Sequence, residues 1–255
     1  MNDSIKNYNV LVTRPKHQAE ALCGLLEQQG WSAIRFPTLD IVAIDNVLIK
    51  QQLNKIANYQ WLIFISVNAV NFALKANNGR IDCFKRVPLA AVGKATQKAL
   101  QTAGLEVDLL PETQFNTEGL LATEEMKNVY GKSCLIIRGQ GGRETLANCL
   151  RERGAKVDYM EVYAREIPVY DNVEISEMLQ QGTLDAITIT SGEALNNLLV
   201  MINKSLHAQL LAVPLIVISR RIKVQAEKIG FKRIAVTDNP SDAAIIETAA
   251  NSTIN

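Results

Sequence analysis

The amino-acid sequence predicts an α/β protein made of two doubly wound parallel-sheet domains, and three observations carry that prediction. Short apolar runs alternate with segments of helical period along the chain. The plan recurs: Arg138 lies 124 residues after Arg14, Gly154 lies 124 after Gly30, Ser191 lies 125 after Ser66 and Pro214 lies 126 after Pro88. At 255 residues the chain exceeds one average domain, which leaves room for one large sheet or two smaller domains, and the repeat favours two.

Taken in order, the first unit has a strand over 10–13, a turn at Arg14-Pro15, a helix carrying Ala21, Leu22, Leu25 and Leu26, and a second strand after Gly30. Proline is tolerated in a first helical turn because its missing N–H would be unpaired there. Residues 42–58 are more polar and read as a crossing, as do residues 167–178, which contain Pro168 and Asp171-Asn172. A different unit begins near Tyr59, with a buried strand over 61–65, Ser66-Val67-Asn68, and a helix over 69–74. A strand near 87–92 follows, then a helix ending at Gly104 and a closing helix started by Thr117-Glu118 as an N-cap pair. The strand-helix-strand plan returns over 131–166. The second unit returns as the strand over 184–189, Thr190-Ser191-Gly192, the strand near 213–218, a helix ending at Gly230, and Ser241-Asp242. One unit of each kind supplies five parallel strands with alternating helices, the inventory of a flavodoxin-like domain. The residues alone leave open which first-type unit joins which second-type unit.

Composition excludes several function classes. Hydrophobic content of 47% and charged content of 21% are ordinary for a globular protein. No apolar run approaches the ~18 residues of a membrane span, and the first nine residues lack a basic and an apolar export region, so a cytoplasmic protein without membrane contact is expected. A net charge of +1 without a basic run speaks against nucleic-acid binding. His17 and His207 lack the neighbours for a metal site, and no Gly-x-Ser-x-Gly elbow supports a serine hydrolase. Cys23, Cys83, Cys134 and Cys149 lie far apart and read as reduced thiols, mostly on apolar faces. No apolar helix face asks for obligate assembly, so a monomer is expected.

In doubly wound sheets ligands bind beyond the C-terminal ends of the strands. The residues just after the predicted strands are hydroxylic and basic: Thr13-Arg14, Ser66 with Asn68, Gly93 with Thr96, Arg138-Gly139, Thr190-Ser191 and Ser219-Arg220. Any one of these could simply cap a helix, and Thr96 could bond back to its own helix. Together they line one end of two sheets, where a large anion would sit.

The most specific chemistry lies in residues 131–166. A strand over 134–138 leads into Gly139-Gln140-Gly141-Gly142, then a helix carrying Leu146, Cys149 and Leu150, then a strand from Lys156 towards Tyr163. Glu144 stands where a dinucleotide fingerprint needs a third glycine, and Gly142-Arg143-Glu144 does not supply the Gly-Lys-Ser/Thr of a phosphate loop. What remains is a loop of backbone N–H groups between Arg138 and Arg143, suited to carboxylates or phosphates. A plain tight turn with both arginines in water would use the same residues.

These motifs resemble one family. Val10-Leu11-Val12-Thr13-Arg14-Pro15, Ser66-x-Asn68-Ala69-Val70, Ala91-Val92-Gly93-x-x-Thr96, Thr117-Glu118-Gly119-Leu120-Leu121, Ile137-Arg138-Gly139-x-Gly141-Gly142-Arg143, Glu161-Val162-Tyr163 and Thr190-Ser191-Gly192 are together similar to the uroporphyrinogen-III synthases, over nearly the whole chain. The resemblance implies a crossed chain path, with residues 1–38 and 170–255 in one flavodoxin-like domain and 42–165 in the other. It also implies a two-stranded hinge near 38–41 and 165–169 and an active site between the domains. The implied reaction is that of a cyclising carbon–oxygen hydro-lyase acting without a cofactor. It closes the linear tetrapyrrole hydroxymethylbilane to uroporphyrinogen III, losing water and inverting the last ring through an azafulvene and a spiro intermediate.

Because that substrate carries several carboxylates, scattered N–H groups and arginines suit it better than one charge cluster. The substrate contacts implied are Thr13, Arg14, Ser66, Asn68, Thr96, Arg138, Gly139, Arg143, Thr190, Ser191 and Ser219. Tyr163 is the candidate acid that helps the hydroxyl leave, since a phenol keeps its proton at neutral pH. One departure stands out: the second Val/Ile-Gly-x-x-Thr motif reads Ile218-Ser219-Arg220-Arg221-Ile222. Ile222 has no hydroxyl to offer, so Ser219 or Arg220 would have to bind the anion in its place. A two-lobed anion sensor without catalysis is the rival reading, because such modules share doubly wound lobes.

Overall fold

Buried central strands with side chains shared between two faces organise both sheets. The structure, a computed structural model, describes residues 8–253. It divides into two compact units, one made of the chain up to Asp40 and from Glu166 onwards, the other of Ile41–Arg165.

The first unit opens with β1 (Asn9–Val12), α1 (Lys16–Gln28) and β2 (Ser32–Arg35). The second holds β3 (Asp40–Ala43), α2 (Val47–Asn54), β4 (Trp61–Phe64), α3 (Val67–Ala76), β5 (Leu89–Ala91), α4 (Lys94–Thr102), α5 (Thr117–Leu121), α6 (Glu124–Lys127), β6 (Ser133–Gly139), α7 (Thr145–Glu152) and β7 (Lys156–Glu166). The chain then completes the first unit with α8 (Val173–Gln181), β8 (Ala186–Ile189), α9 (Gly192–Met201), α10 (His207–Ala212), β9 (Leu215–Val217), α11 (Arg220–Ile229), β10 (Ile234–Val236) and α12 (Asp242–Thr253).

The first sheet has the order β10-β9-β8-β1-β2, with every pair parallel. The opening strand-helix-strand unit therefore joins the last three strands, and Val10 pairs with Ala186. Leu11, Ile187, Ile189, Leu215 and Val217 enter one core, while Val10, Val12, Ala186 and Ile216 enter the core on the other face. This period-2 division is what a parallel sheet covered by helices on both sides requires.

The second sheet has the order β3-β7-β6-β4-β5, and the same division runs through it: Leu62, Phe64, Leu135 and Ile137 on one face, Trp61, Ile63, Cys134 and Ile136 on the other. Its fifth strand departs from expectation. The expected five strands per domain need a third strand from this unit, between Gly104 and Thr117, but that segment makes only one parallel bridge, Ala90 to Leu109, and β3 fills the fifth place instead.

The two segments read as polar crossings also carry helices, α2 and α8. Ile49 with Leu53, and Ile175 with Leu179, give each a buried stripe at i, i+4 that the surrounding polar residues obscure. Asn116 rather than Thr117 caps α5, its Oδ1 accepting from Gly119 N at 2.8 Å. Of the two extended connections, residues 36–38 are buried, and Thr38 Oγ1 donates to Thr13 O at 3.3 Å, whereas Val169 is 98% exposed. All four cysteines are free, and burial pushes the Cys134 thiol up to about 11. No helix among the described residues is long and apolar enough to cross a membrane.

Candidate functional site

The pairing of β6 with β7 places the chemistry of the second unit. The strands run in register from Ser133 opposite Lys156 to Arg138 opposite Glu161, and then the register shifts so that Gly139 faces Tyr163. Gly139 is where the ring lies: a Cβ built there would fall 2.5 Å from Tyr163 Cζ, so only glycine fits. On its other side the ring meets Phe72, with centroids 5.6 Å apart. The hydroxyl is 3.2 Å from Ser66 Oγ, which also accepts from Ala69 N at 3.1 Å and so caps α3. Tyr163 is only 2% exposed. It sits within β7 rather than at its end, because the strand continues beyond the predicted limit to Glu166.

A cavity of about 270 Å³ lies against this ring. Arg138, Gly139, Arg143 and Tyr163 line it together with Tyr159 and Arg165, whose guanidinium carbon is 5.9 Å from the Tyr163 ring centre. Ser66 reaches the site through the tyrosine hydroxyl. Asn68 is half-buried on α3 and Thr96 is buried in the first turn of α4, and neither lines the cavity.

Arg138 differs from its expected role as an anion ligand. Its side chain is 3% exposed and its donors are engaged: Nε bonds Gly139 O at 3.1 Å, Nη2 bonds Gly141 O, and Nη1 bonds Glu144 Oε1 at 3.0 Å. The guanidinium also covers the Tyr159 ring at 4.6 Å, and Tyr159 donates to the second oxygen of Glu144. That donation and Arg138 together hold the Glu144 carboxyl below the usual carboxylate range, while burial and the same bond push the Tyr159 phenol up. Gly141 N meets Glu161 Oε1 at 3.3 Å. With Gly141 at φ 68° and Gly142 at φ 107°, the loop turns tightly around the arginine. Arg143 is exposed and has no ion-pair partner among the described residues, so it is the free cation of the pair that flanks the loop.

In the first unit, the predicted contacts follow three adjacent strands, β1, β8 and β9, but most of their polar groups are spent internally. Thr13 is fully buried, and its hydroxyl donates to Thr188 O at 2.7 Å. Arg14 pairs with Asp242, so its carboxylate partner belongs to the protein. Ser191 and Ser219 cap α9 and α11 through Ala194 N at 3.0 Å and Ile222 N at 3.4 Å. Thr190 is half-buried at the end of β8. Ile222 is 2% exposed in the core, so the departure from the threonine motif fills apolar space, and Arg220 beside it is exposed. A larger cavity of about 1040 Å³ in this unit lies beside α8 and α9, away from the strand ends, and contains none of the predicted residues. The chemistry favours the smaller one.

Glu144, Tyr159, Glu161 and Arg165 were not among the residues expected from sequence. Tyr159 and Glu161 alternate with the core residues Met160 and Val162 on β7, a signal that places them on the opposite face from those two. Glu144 lies only six residues beyond Arg138, across the glycine turn that brings the two together.

The family model described as uroporphyrinogen-III synthase HemD matches residues 20–247. The uroporphyrinogen-III synthase of Escherichia coli (strain K12) is 32% identical over 241 residues, covering 93% of this chain and 98% of its own. That of Salmonella typhimurium is 32% identical over 247 residues, covering 93% and 98%. Among solved structures, a mutant uroporphyrinogen III synthase of the extremely thermophilic bacterium Thermus thermophilus superposes with a TM-score of 0.63 at 17% identity, covering 96% of this chain and 98% of the other. The Helicobacter pylori 26695 enzyme gives 0.62 at 17% identity, covering 96% and 99%. At that identity the two structures speak for the fold.

Proposed function

The chain belongs to the uroporphyrinogen-III synthase family, cyclising lyases of tetrapyrrole biosynthesis, and from that premise we propose that Tyr163 is the acid of the reaction and that hydroxymethylbilane is the substrate. The observation that carries the proposal is the Tyr163 phenol, held by Ser66 and set against a cavity rimmed by Arg143 and Arg165. A cavity of about 270 Å³ is just below the usual range for a ligand site and suits one substituted pyrrole of the substrate rather than the whole tetrapyrrole.

The phenol proton passes to the leaving hydroxyl oxygen, the carbon–oxygen bond breaks, and water departs to leave an azafulvene cation. Attack by the last ring at its substituted carbon gives a spiro intermediate, which fragments and recloses with that ring inverted. The proton released as the final pyrrole regains aromaticity returns to the phenolate, so the cycle balances. The enzyme's contribution is to hold the folded geometry and supply one proton. Ser66 Oγ, already accepting from Ala69 N, can donate its own hydrogen to the tyrosine oxygen and steady the phenolate.

Purified protein given hydroxymethylbilane is expected to yield the type III isomer, whereas a non-catalytic sensor would leave only the type I product of spontaneous closure. Chromatography of the oxidised porphyrins separates the two outcomes. The reading further takes Arg143 as a contact for a substrate carboxylate. Arg143→Ala should then raise KM about fivefold with kcat kept, since an exposed charge-assisted contact contributes about 1 kcal/mol. A reduced kcat in a folded Arg143→Ala protein would assign it to the chemistry instead. The same reading has the enzyme act as a cytoplasmic monomer, for which light scattering after gel filtration is the check.

A further inference from the structure

The break in alternation along β7 singles out one residue as the cause of Tyr163's orientation. Val157 and Tyr159 pack on one face of the sheet, and Met160 and Val162 on the other. Strict alternation would return Tyr163 to the face of Tyr159, yet it joins the core of Met160 and Val162. The change of face coincides with the register shift between Arg138 and Gly139. A bulge of this kind re-aims a side chain, and it persists only where its displaced carbonyls find donors.

On the bulged strand Val162 O accepts from Ile44 N at 3.1 Å, and Arg138 supplies the donors for the facing glycine loop. Its Nε bonds Gly139 O at 3.1 Å and its Nη2 bonds Gly141 O, so one planar group fixes the loop on both sides of Gln140. Gln140 N in turn donates to Tyr163 O at 2.7 Å, which ties the tyrosine backbone to the same loop. Glu144, half exposed, holds the remaining nitrogen at 3.0 Å. The geometry points to Arg138 as the positioning residue for Tyr163: it holds the glycine loop that pairs with the bulge, and so keeps the phenol facing Ser66.

This inference rests on Tyr163 being the acid, and a double-mutant cycle on kcat tests the two separately. Arg138→Met is expected to lower kcat by about 10- to 100-fold, the effect of misplacing a catalytic group by ~1 Å, with KM within about twofold. Arg138→Lys should rescue little, because one ammonium cannot meet three acceptors in a plane. In a Tyr163→Phe background, Arg138→Met should change kcat by no more than about twofold, since the group it positions is already gone. A purely structural arginine would give equal reductions in both backgrounds, and a substrate ligand would raise KM at unchanged kcat; either result overturns the inference. Should Arg138→Met fail to fold, Glu144→Gln removes the anchoring charge from the exposed side. It is expected to lower kcat about threefold in the wild-type background and not in Tyr163→Phe, and equal effects in the two would reject the inference. Wild-type kcat in Tyr163→Phe removes the acid and this inference together, whereas a large reduction there beside wild-type kcat in Arg138→Met removes the inference alone.

Discussion

Tyr163→Phe is expected to lower kcat by about 10²-fold, the lower end of what general acid catalysis contributes, while the product released stays the type III isomer. The ring is retained, so its contacts with Phe72 and Gly139 persist and the folded geometry of the site is kept. Only the proton donor is removed. If the tyrosine instead positions the last pyrrole, the same variant should leak type I product, because unguided closure then competes within the site. Single-turnover assays with isomer analysis distinguish the two, and a variant with wild-type rate and wild-type isomer ratio would take Tyr163 out of the mechanism.

Gly139→Ala should be the most damaging single methyl group in the second unit's site. The added Cβ falls 2.5 Å from Tyr163 Cζ and 3.0 Å from Cδ2, at a ring that is 2% exposed and already packed against Phe72. Overpacking of this kind costs about 1–3 kcal/mol, and the ring's displacement should reduce kcat by at least ~10²-fold. Removing the ring relieves the clash, so the destabilisations of Gly139→Ala and Tyr163→Ala should be less than additive, by roughly 0.5–3 kcal/mol in the double variant. Urea titrations of the four proteins measure this coupling. Additive effects would mean that the glycine is needed for its backbone and not for the space above it.

What the sequence determined by itself was local. The central strands of both sheets were legible because each is a short apolar run whose residues alternate between two cores, and most of the helices because their apolar stripes recur at helical spacing; β3 was not, being half exposed. Ser66, Ser191 and Ser219 were legible as residues at strand ends, and each does accept the N–H of a helix's first turn. The helices α2 and α8 escaped because two buried residues in a polar stretch make a weak stripe. The internal partners of Thr13 and Arg14 could not be read locally, because Thr188 and Asp242 lie more than a hundred residues away, whereas Arg138 bonds the nearby Gly141 O.

Tertiary structure alone decided the rest. The residues left open which halves of the repeat share a sheet, since β1 could hydrogen-bond to any parallel strand of matching apolar face. Packing chose β8 in the first unit, and put β3 in the fifth place of the second. It also decided which way Tyr163 faces. Period-2 alternation, read along β7, puts that side chain on the face of Tyr159, and only the bulge against β6 turns it to the face of Met160 and Val162. Hydrogen bonds between strands distant in sequence carry no local signature, so the face on which the tyrosine appears could not be read before the chain was folded.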